Sequence, residues 1–355
     1  MRRQFHVVLL HGYSADNLGD GLLVDEALEM IRDAFGSDTA ITLVANHPKT
    51  FEHLGIRVVD SSLRMTGYKR EFISLLRDLS SADLVLGVGG GYMRFGRPRE
   101  AIVTALIHGP QLFAAARTQA PVVYLPQSIG PLGALRLPAR MLLRRLDRVL
   151  VRDDRSMAEV ATGNVERWPD CALMQRDARP TLPFDDADLP VLTVRAVRGE
   201  VPAPVQELAQ RIRTFDGYVQ STAGRNDDRP AMAKTGPRTT LTREELLRPG
   251  AARVVIAVRL HAAIMALQAG HYVIHLAYER KGFAAFADLG LGDYVHPVGR
   301  FDVDLVIRQI QSLRTAEVRR QYDRACQGSM RRLSSRRGEL VETLIASARG
   351  ATHHA

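Results

Sequence analysis

The sequence predicts an α/β fold in two halves, each a parallel sheet covered by helices. Three observations predict it. Short apolar runs alternate with longer segments of helical period, the pattern of a parallel sheet with helices on its faces. The alternation stops at a proline- and aspartate-rich stretch, "ARPTLPFDDADLP" at 178–190, and then restarts. At 355 residues the chain has room for two domains of ordinary size.

In the first half, "FHVVLL" reads as a strand, and Val24, Ala27, Leu28, Ile31 and Phe35 then repeat at helical spacing. "AITLVAN" and "IRVVD" are further strands. Phe72, Leu75, Leu76 and Leu79 mark a helix leading into "ADLVLGVGGG", a strand that ends in glycines. "AIVTALIHGPQLFAAARTQ" reads as one long helix with a proline kink, followed by the strand "PVVYLPQ", a helix near 138–147 and the strand "RVLVRD". In the second half come "VLTVRAV", a helix near 203–214, "GYVQS", a polar loop over 222–240, "RVVIAV", a helix, and "YVIHLAY". Val303, Val306, Ile310 and Leu313 close the core helices, and an arginine-rich, helical segment ends the chain. The expected organisation is a first domain over 1–185, a second over 186–315, and a helical segment over 316–355 that packs across both halves.

Composition narrows the function. The net charge is +9, yet only Lys49, Lys69, Lys234 and Lys281 are lysines, a bias that a GC-rich genome produces. The arginines are dispersed among acids and show no nucleic-acid-binding motif, so no nucleic acid partner is expected. Cys171 and Cys326 lie far apart, outside metal-ligand spacing, which suggests a reducing compartment and no metal. The opening apolar run is too short for a signal peptide, and no segment has the length of a membrane span. A cytoplasmic location is expected.

In open parallel sheets, ligands bind beyond the carboxyl ends of strands. The first strand runs into "HGYSADNLGDGL", where Asn17 and Asp20 can cap a helix or contact a substrate. On its own this loop reads more simply as a cap. "GVGGGYMR" lacks the sixth-position glycine of a dinucleotide fingerprint, but Gly90 and Gly91 still permit close backbone approach to an anion. Gln127 and Arg152 each sit just past a strand, and Asp153–Asp154 suit the start of a helix. In "VVIAVRLHAAIMALQAG", Arg259 and His261 stand where a core strand enters a helix, two residues apart. "LAYERKGF" places Glu279 and Lys281 at the end of the next strand. Arginine, lysine and a helix start describe an anion pocket with a histidine inside it.

These motifs, in this order over roughly 10–285, resemble the polysaccharide pyruvyl transferase family. "GYSADNLGDGLLVDEAL" looks like its Gly-Asn-x-Gly-Asp element, with the usual lead-in altered to "SAD". "YLPQSIGPL" is similar to its Gln-x-Ile-Gly-Pro element and "VRDDRS" to its Arg-Asp-x-x-Ser element. "WPDCAL" resembles its Pro-Asp segment through Asp170, and "VRLHAAIMALQAGHYVIHLAYERKGF" its Arg-Leu-His helix and Tyr-x-x-Lys segment. The resemblance implies two Rossmann-like domains facing a cleft, similar to the B-type glycosyltransferase fold. It also implies transfer of pyruvate from phosphoenolpyruvate to two hydroxyls of a sugar, giving a cyclic ketal and phosphate. Phosphoenolpyruvate is then a co-substrate and no cofactor is needed. The acceptor is an exopolysaccharide or cell-envelope glycan, or a lipid-linked oligosaccharide that would bring the protein to the membrane periphery.

On that footing Arg152, Arg259 and Lys281 are expected to bind the donor, with Gly90 and Gly91. His261 is the general acid/base, with Arg259 beside it. Asn17, Asp20, Gln127 and Asp170 are expected on the acceptor side. The competing expectation is a nucleotide-sugar glycosyltransferase of the same architecture, for which Glu279 is the one candidate ribose contact.

Overall fold

A computed structural model describes residues 4–174, 179–184, 189–222, 224–248 and 250–351. The chain groups into two units. The first comprises Met1–Ala15, Asp20–Cys171 and Ser335–Ala355, and the second Asp16–Gly19 and Ala172–Ser334.

Unit 1 is built on strands β1 (His6–Gly12), β2 (Ala40–Ala45), β3 (Arg57–Asp60), β4 (Leu84–Gly87), β5 (Gly90–Met93), β6 (Val122–Ile129), β7 (Arg148–Val151) and β8 (Val165–Arg167). Their order is β3-β2-β1-β4-β6-β7-β8, with β5 added alongside β6, and the pairings are parallel. Central strands such as β4 and β6 are buried along their whole length, so their apolar runs are continuous rather than alternating. Helix α1 (Leu18–Phe35) follows β1, α2 (Arg70–Arg77) follows β3, and α3 (Pro98–Ile107) and α4 (Gly109–Ala115) follow β5. α5 (Arg136–Leu143) and α6 (Asp154–Val160) complete the connections. The core on one face joins Phe72 of α2, Leu112 and Ala115 of α4, and Ala139 and Leu143 of α5 to the sheet residues Val85, Tyr124 and Val149.

Unit 2 has β9 (Val191–Thr193), β10 (Asp216–Tyr218), β11 (Thr240–Leu241), β12 (Val254–Ala257), β13 (Tyr272–Ala277) and β14 (Val295–Pro297). The order β11-β10-β9-β12-β13-β14, parallel throughout, is that of a doubly wound dinucleotide-fold sheet. Its helices are α7 (Ala203–Ile212), α8 (Arg229–Ala233), α9 (Arg243–Leu247), α10 (Leu260–Gln268), α11 (Arg280–Asp288), α12 (Val303–Ser312) and, up to Ser334, the long α13 (Ala316–Ala351). In both sheets the strand order reverses beside the first strand, between β1 and β4 and between β9 and β12.

Several expectations are corrected. The 101–119 helix is two helices, because His108, Gly109 and Pro110 stop α3 and begin α4. The glycines expected to end the fourth strand lead into a further short strand, β5. The polar segment 222–240 contains α8 and reaches β11. Residues 179–184, expected as linker in the first domain, pack on unit 2. Arg179 donates to the carbonyls of Leu267, Gly270 and His271 and pairs with Asp323 at 2.6 Å. Of the expected linker, 178 and 185–188 lie outside the described residues. In the C-terminal segment, expected to pack across both halves, residues up to Ser334 group with unit 2 and those from Ser335 with unit 1.

Candidate functional site

At the reversal point of the second sheet, β12 ends at Ala257, and Arg259, two residues on, is the N-cap residue of α10. Every residue of α10 from Leu260 to Leu267 except His261 is buried, so the helix is fixed on all sides and His261 is held at its start. His261 stands against the N-terminal loop. A Cβ on Gly19 would lie 2.2 Å from His261 Nδ1, so only glycine permits this approach. The loop is anchored by a bridge between Asn17 and Ser221. Asn17 also accepts a hydrogen bond from the Gly19 N–H at 3.3 Å, capping α1, while the half-buried Asp20 lies in that helix's first turn.

Arg259 does not offer a free fork. Its Nε and Nη2 donate to the two carboxylate oxygens of Asp228 at 2.9 and 2.7 Å, and Nη2 also donates to the Asn226 carbonyl. The pair is buried, and burial pushes the Asp228 carboxyl above its ordinary range, with Arg259 and Arg195 pulling it back. Two of the guanidinium nitrogens of Arg259, expected to bind the donor, grip the 226–228 loop. Lys281 pairs with Glu279 at 3.0 Å, which engages both that cation and the candidate ribose contact.

The cation that sequence reasoning missed is Arg195. It donates to Tyr278 Oη at 2.6 Å and to Asn226 Oδ1 at 2.9 Å, and its guanidinium lies 4.8 Å from the centre of the Tyr278 ring. "VLTVRAV" reads as strand through 197, which hides the residue inside an element. The strand stops at Thr193, so Arg195 stands just beyond its carboxyl end, beside the reversal point. The signal available was that rule, applied to a strand four residues shorter.

Unit 1 holds a second polar cluster at its own strand ends. Arg152, which follows β7, pairs through Nη1 with Asp170 and donates through Nε to Ser128 Oγ at 3.1 Å. Ser128 in turn donates to Asp153, the N-cap of α6. Asp170, expected on the acceptor side, is the buried counter-ion of Arg152. Arg152 Nη2 and both amide atoms of Gln127 are buried without a hydrogen-bond partner among the described residues. Gly90 pairs with Gln127 in the sheet, and a Cβ on Gly91 would come within 3.6 Å of Arg152 Nη2. Behind this cluster His11, at φ +71°, bonds Tyr124 Oη at 2.7 Å and His108 Nδ1 at 3.2 Å and stacks on Tyr92. Burial keeps both imidazoles neutral, lowering His108 to about 3 and His11 well below its ordinary value.

The structure thus brings together Asn17, Gly19, Arg259 and His261 with Arg195 in unit 2, and Gly90, Gly91, Gln127, Arg152 and Asp170 in unit 1. Among the described residues, no three His, Cys, Asp or Glu side chains are grouped to hold a metal ion. No helix there is long and apolar enough to cross a membrane.

The model of the polysaccharide pyruvyl transferase family matches residues 17–223, more than half of the sequence. The chain belongs to the polysaccharide pyruvyl transferase family. The match takes in the Asn17 loop, the unit 1 cluster and Arg195, and ends before Arg259, His261 and Lys281. No curated protein matches the sequence.

Among solved structures, the chain is similar to a proposed UDP-N-acetylglucosamine 2-epimerase from Listeria monocytogenes, with 11% identity, 95% of each chain covered and a TM-score of 0.59. It is also similar to UGT73P12 of Glycyrrhiza uralensis in complex with glycyrrhetinic acid 3-O-monoglucuronide. There the identity is 9%, covering 99% of this chain and 98% of that one, with a TM-score of 0.55. S. aureus MnaA with UDP gives 9% identity, 91% of each chain and 0.53. At such identities the likeness is one of fold: two Rossmann-like halves, as in B-type glycosyltransferases.

Proposed function

We propose that this pyruvyl transferase family member moves pyruvate from phosphoenolpyruvate onto two hydroxyls of one sugar. The acceptor is an exopolysaccharide or cell-envelope glycan or its lipid-linked precursor. The family match over 17–223 carries the reading. In the reaction C3 of the donor gains a proton, C2 becomes electrophilic, and one sugar hydroxyl adds to it while losing its proton. The C2–O bond to phosphate then breaks, and the second hydroxyl closes the ketal as its proton leaves. The net products are the cyclic ketal and inorganic phosphate.

His261, at a rigid helix start, is the group proposed to carry protons between hydroxyl and methylene carbon. Arg195 and Lys281 supply positive charge to the phosphate and carboxylate, and Arg259 fixes the loop that orients Arg195 through Asn226. In unit 1, the buried unpartnered atoms of Gln127 and Arg152 beside Gly90–Gly91 suit hydrogen bonds to a ligand, and Asn17 and Asp20 remain proposed acceptor contacts. A cytoplasmic location fits both proposed substrates.

Incubation with phosphoenolpyruvate or with UDP-sugars, followed by assay of released phosphate or UDP, tests the reaction. Phosphate release dependent on a glycan acceptor is expected. Acceptor-dependent UDP release would instead establish the glycosyltransferase reading, which the shared fold with the UDP complex of S. aureus MnaA keeps open. His261→Ala is expected to lower turnover by roughly 10²–10⁴-fold while phosphoenolpyruvate still binds. Unchanged turnover removes the histidine from the proton transfers.

A further inference from the structure

Contrary to the expectation of arginines dispersed among acids, the net positive charge and the exposed apolar side chains concentrate on one stretch of unit 1. Residues 94–146 contain eight arginines and one acid, Glu100, a net of +7 out of the chain's +9. The same stretch carries seven of the eleven large hydrophobic side chains that are exposed among the described residues. On α5, Leu137 and Met141 are 72% and 65% exposed, one helical turn apart. On α3, Ile102 and Val103 are more than half exposed, as is Phe113 on α4. Six of the arginines, Arg97, Arg99, Arg117, Arg136, Arg144 and Arg145, are exposed and enter no ion pair within the described residues.

The elements that carry these residues are joined. Phe95 N–H, just before α3, donates to the carbonyl of Pro131, on the loop that leads into α5. Gly96 lies against the Pro131 ring, and α4 packs between α2 and α5 in one apolar core. A groove of about 410 Å³ runs between α2 and α4, lined by Ile73, Leu76 and Phe113 and edged by Arg77 and Arg117.

Isolated exposed leucines need no explanation, but apolar side chains interleaved on linked helices with arginines that enter no ion pair among the described residues do. A basic face with apolar protrusions is the composition of a surface that lies on an anionic bilayer. A second copy of the chain is disfavoured there, because the two faces would both carry the arginines. A nucleic acid would use the arginines and leave Leu137, Met141 and Ile102 without a role.

We infer that the α3–α4–α5 face of unit 1 docks on the surface of an anionic lipid membrane, with arginines over the headgroups and the apolar side chains in the interface. This holds whichever donor the enzyme uses, since none of the proposed donor groups belongs to the face.

The test is sedimentation of the full chain with vesicles of phosphatidylcholine alone, or mixed with phosphatidylglycerol. Binding to the mixed vesicles only is expected. Arg144→Gln with Arg145→Gln should lower the partition coefficient about 30-fold, two contributions of about 1 kcal/mol each. Leu137→Ser with Met141→Ser should lower it by about tenfold or more through lost apolar burial. All four positions are exposed, and circular dichroism checks that the fold is retained. No binding to phosphatidylglycerol vesicles overturns the inference. So does binding that the Leu137/Met141 pair leaves unchanged, which would mark a general polyanion surface. Self-association of the chain in solution that the same pair abolishes also overturns it, assigning the face to a second copy.

Discussion

Arg259 and Asp228 face each other through two parallel hydrogen bonds in a buried setting, and that geometry decides what replacing the arginine does. Lysine keeps the charge but has no planar fork, so one carboxylate oxygen and the Asn226 carbonyl lose their donor. Arg259→Lys is expected to cost about 1–3 kcal/mol of stability, and Arg259→Ala about 3–5 kcal/mol because Asp228 is left charged and buried. Urea unfolding measures both, and adding Asp228→Asn to Arg259→Ala should recover part of the loss. A fully stable Arg259→Ala protein would return the residue to a purely ligand-binding role. The sequence shows Arg259 and His261 at a strand end, but its partner Asp228 lies in a polar loop with no periodicity to place it. Arg195 was hidden for a related reason: strand ends are set by sheet pairing, which apolar alternation locates only to within a few residues.

At the scale of elements, the long C-terminal helix shows how a single segment serves two cores. In unit 2, Tyr322 accepts from the Val273 N–H of β13 at 3.0 Å and Cys326 is fully buried. In unit 1, Leu340 and Leu344 are buried, Arg336 lies over the Trp168 ring, and Arg337 holds Glu26 of α1 at 2.8 Å with Glu29 and Asp33 nearby. Arg337 and Glu26 are both almost completely buried. Arg337→Met is expected to lower stability by about 3–5 kcal/mol, since the carboxylate loses its buried counter-charge. A chemical denaturation curve shifted by less than about 1 kcal/mol would mean the cluster behaves as an exposed pair. The sequence announces this helix by composition alone. Its division between units follows from which apolar and charged residues find partners, which are distant in sequence.

For the whole molecule, acid stability is the property that the buried histidines govern. His11, His108 and His275 are buried and neutral in the folded chain, with His108 lowered to about 3 and His275 to about 4, chiefly by burial. The unfolded chain protonates its histidines below their ordinary value of 6.5. Between pH 6.5 and about 4 the unfolded state therefore binds more protons, and stability falls as pH falls, by up to about 1.4 kcal/mol per pH unit for each histidine. Asp60, held at about 2 by its hydrogen bonds to Ser62 and Lys69 against a desolvation cost, acts lower. Its stabilisation is present above pH 3.8 and is lost as pH drops towards 2. Urea midpoints at pH 7, 6 and 5 should decline steadily, and His108→Phe should flatten the decline. A profile level from pH 7 to 5 would show that these imidazoles take up protons within the fold.

The sequence by itself determined the class of architecture and the family. Buried parallel strands must be apolar throughout and crossover helices must repeat at their own period, so both leave a local record in the chain. It also determined where His261 and Arg259 enter the fold, because a strand running into a helix is a local event. The tertiary structure alone decided which charges are spent on each other. Asp228 neutralises Arg259, Asp170 neutralises Arg152, Glu279 holds Lys281, and Arg195 becomes a strand-end cation. Those pairings join residues on separate turns of the chain. An ion pair depends on distance and burial in space, and a linear sequence records neither.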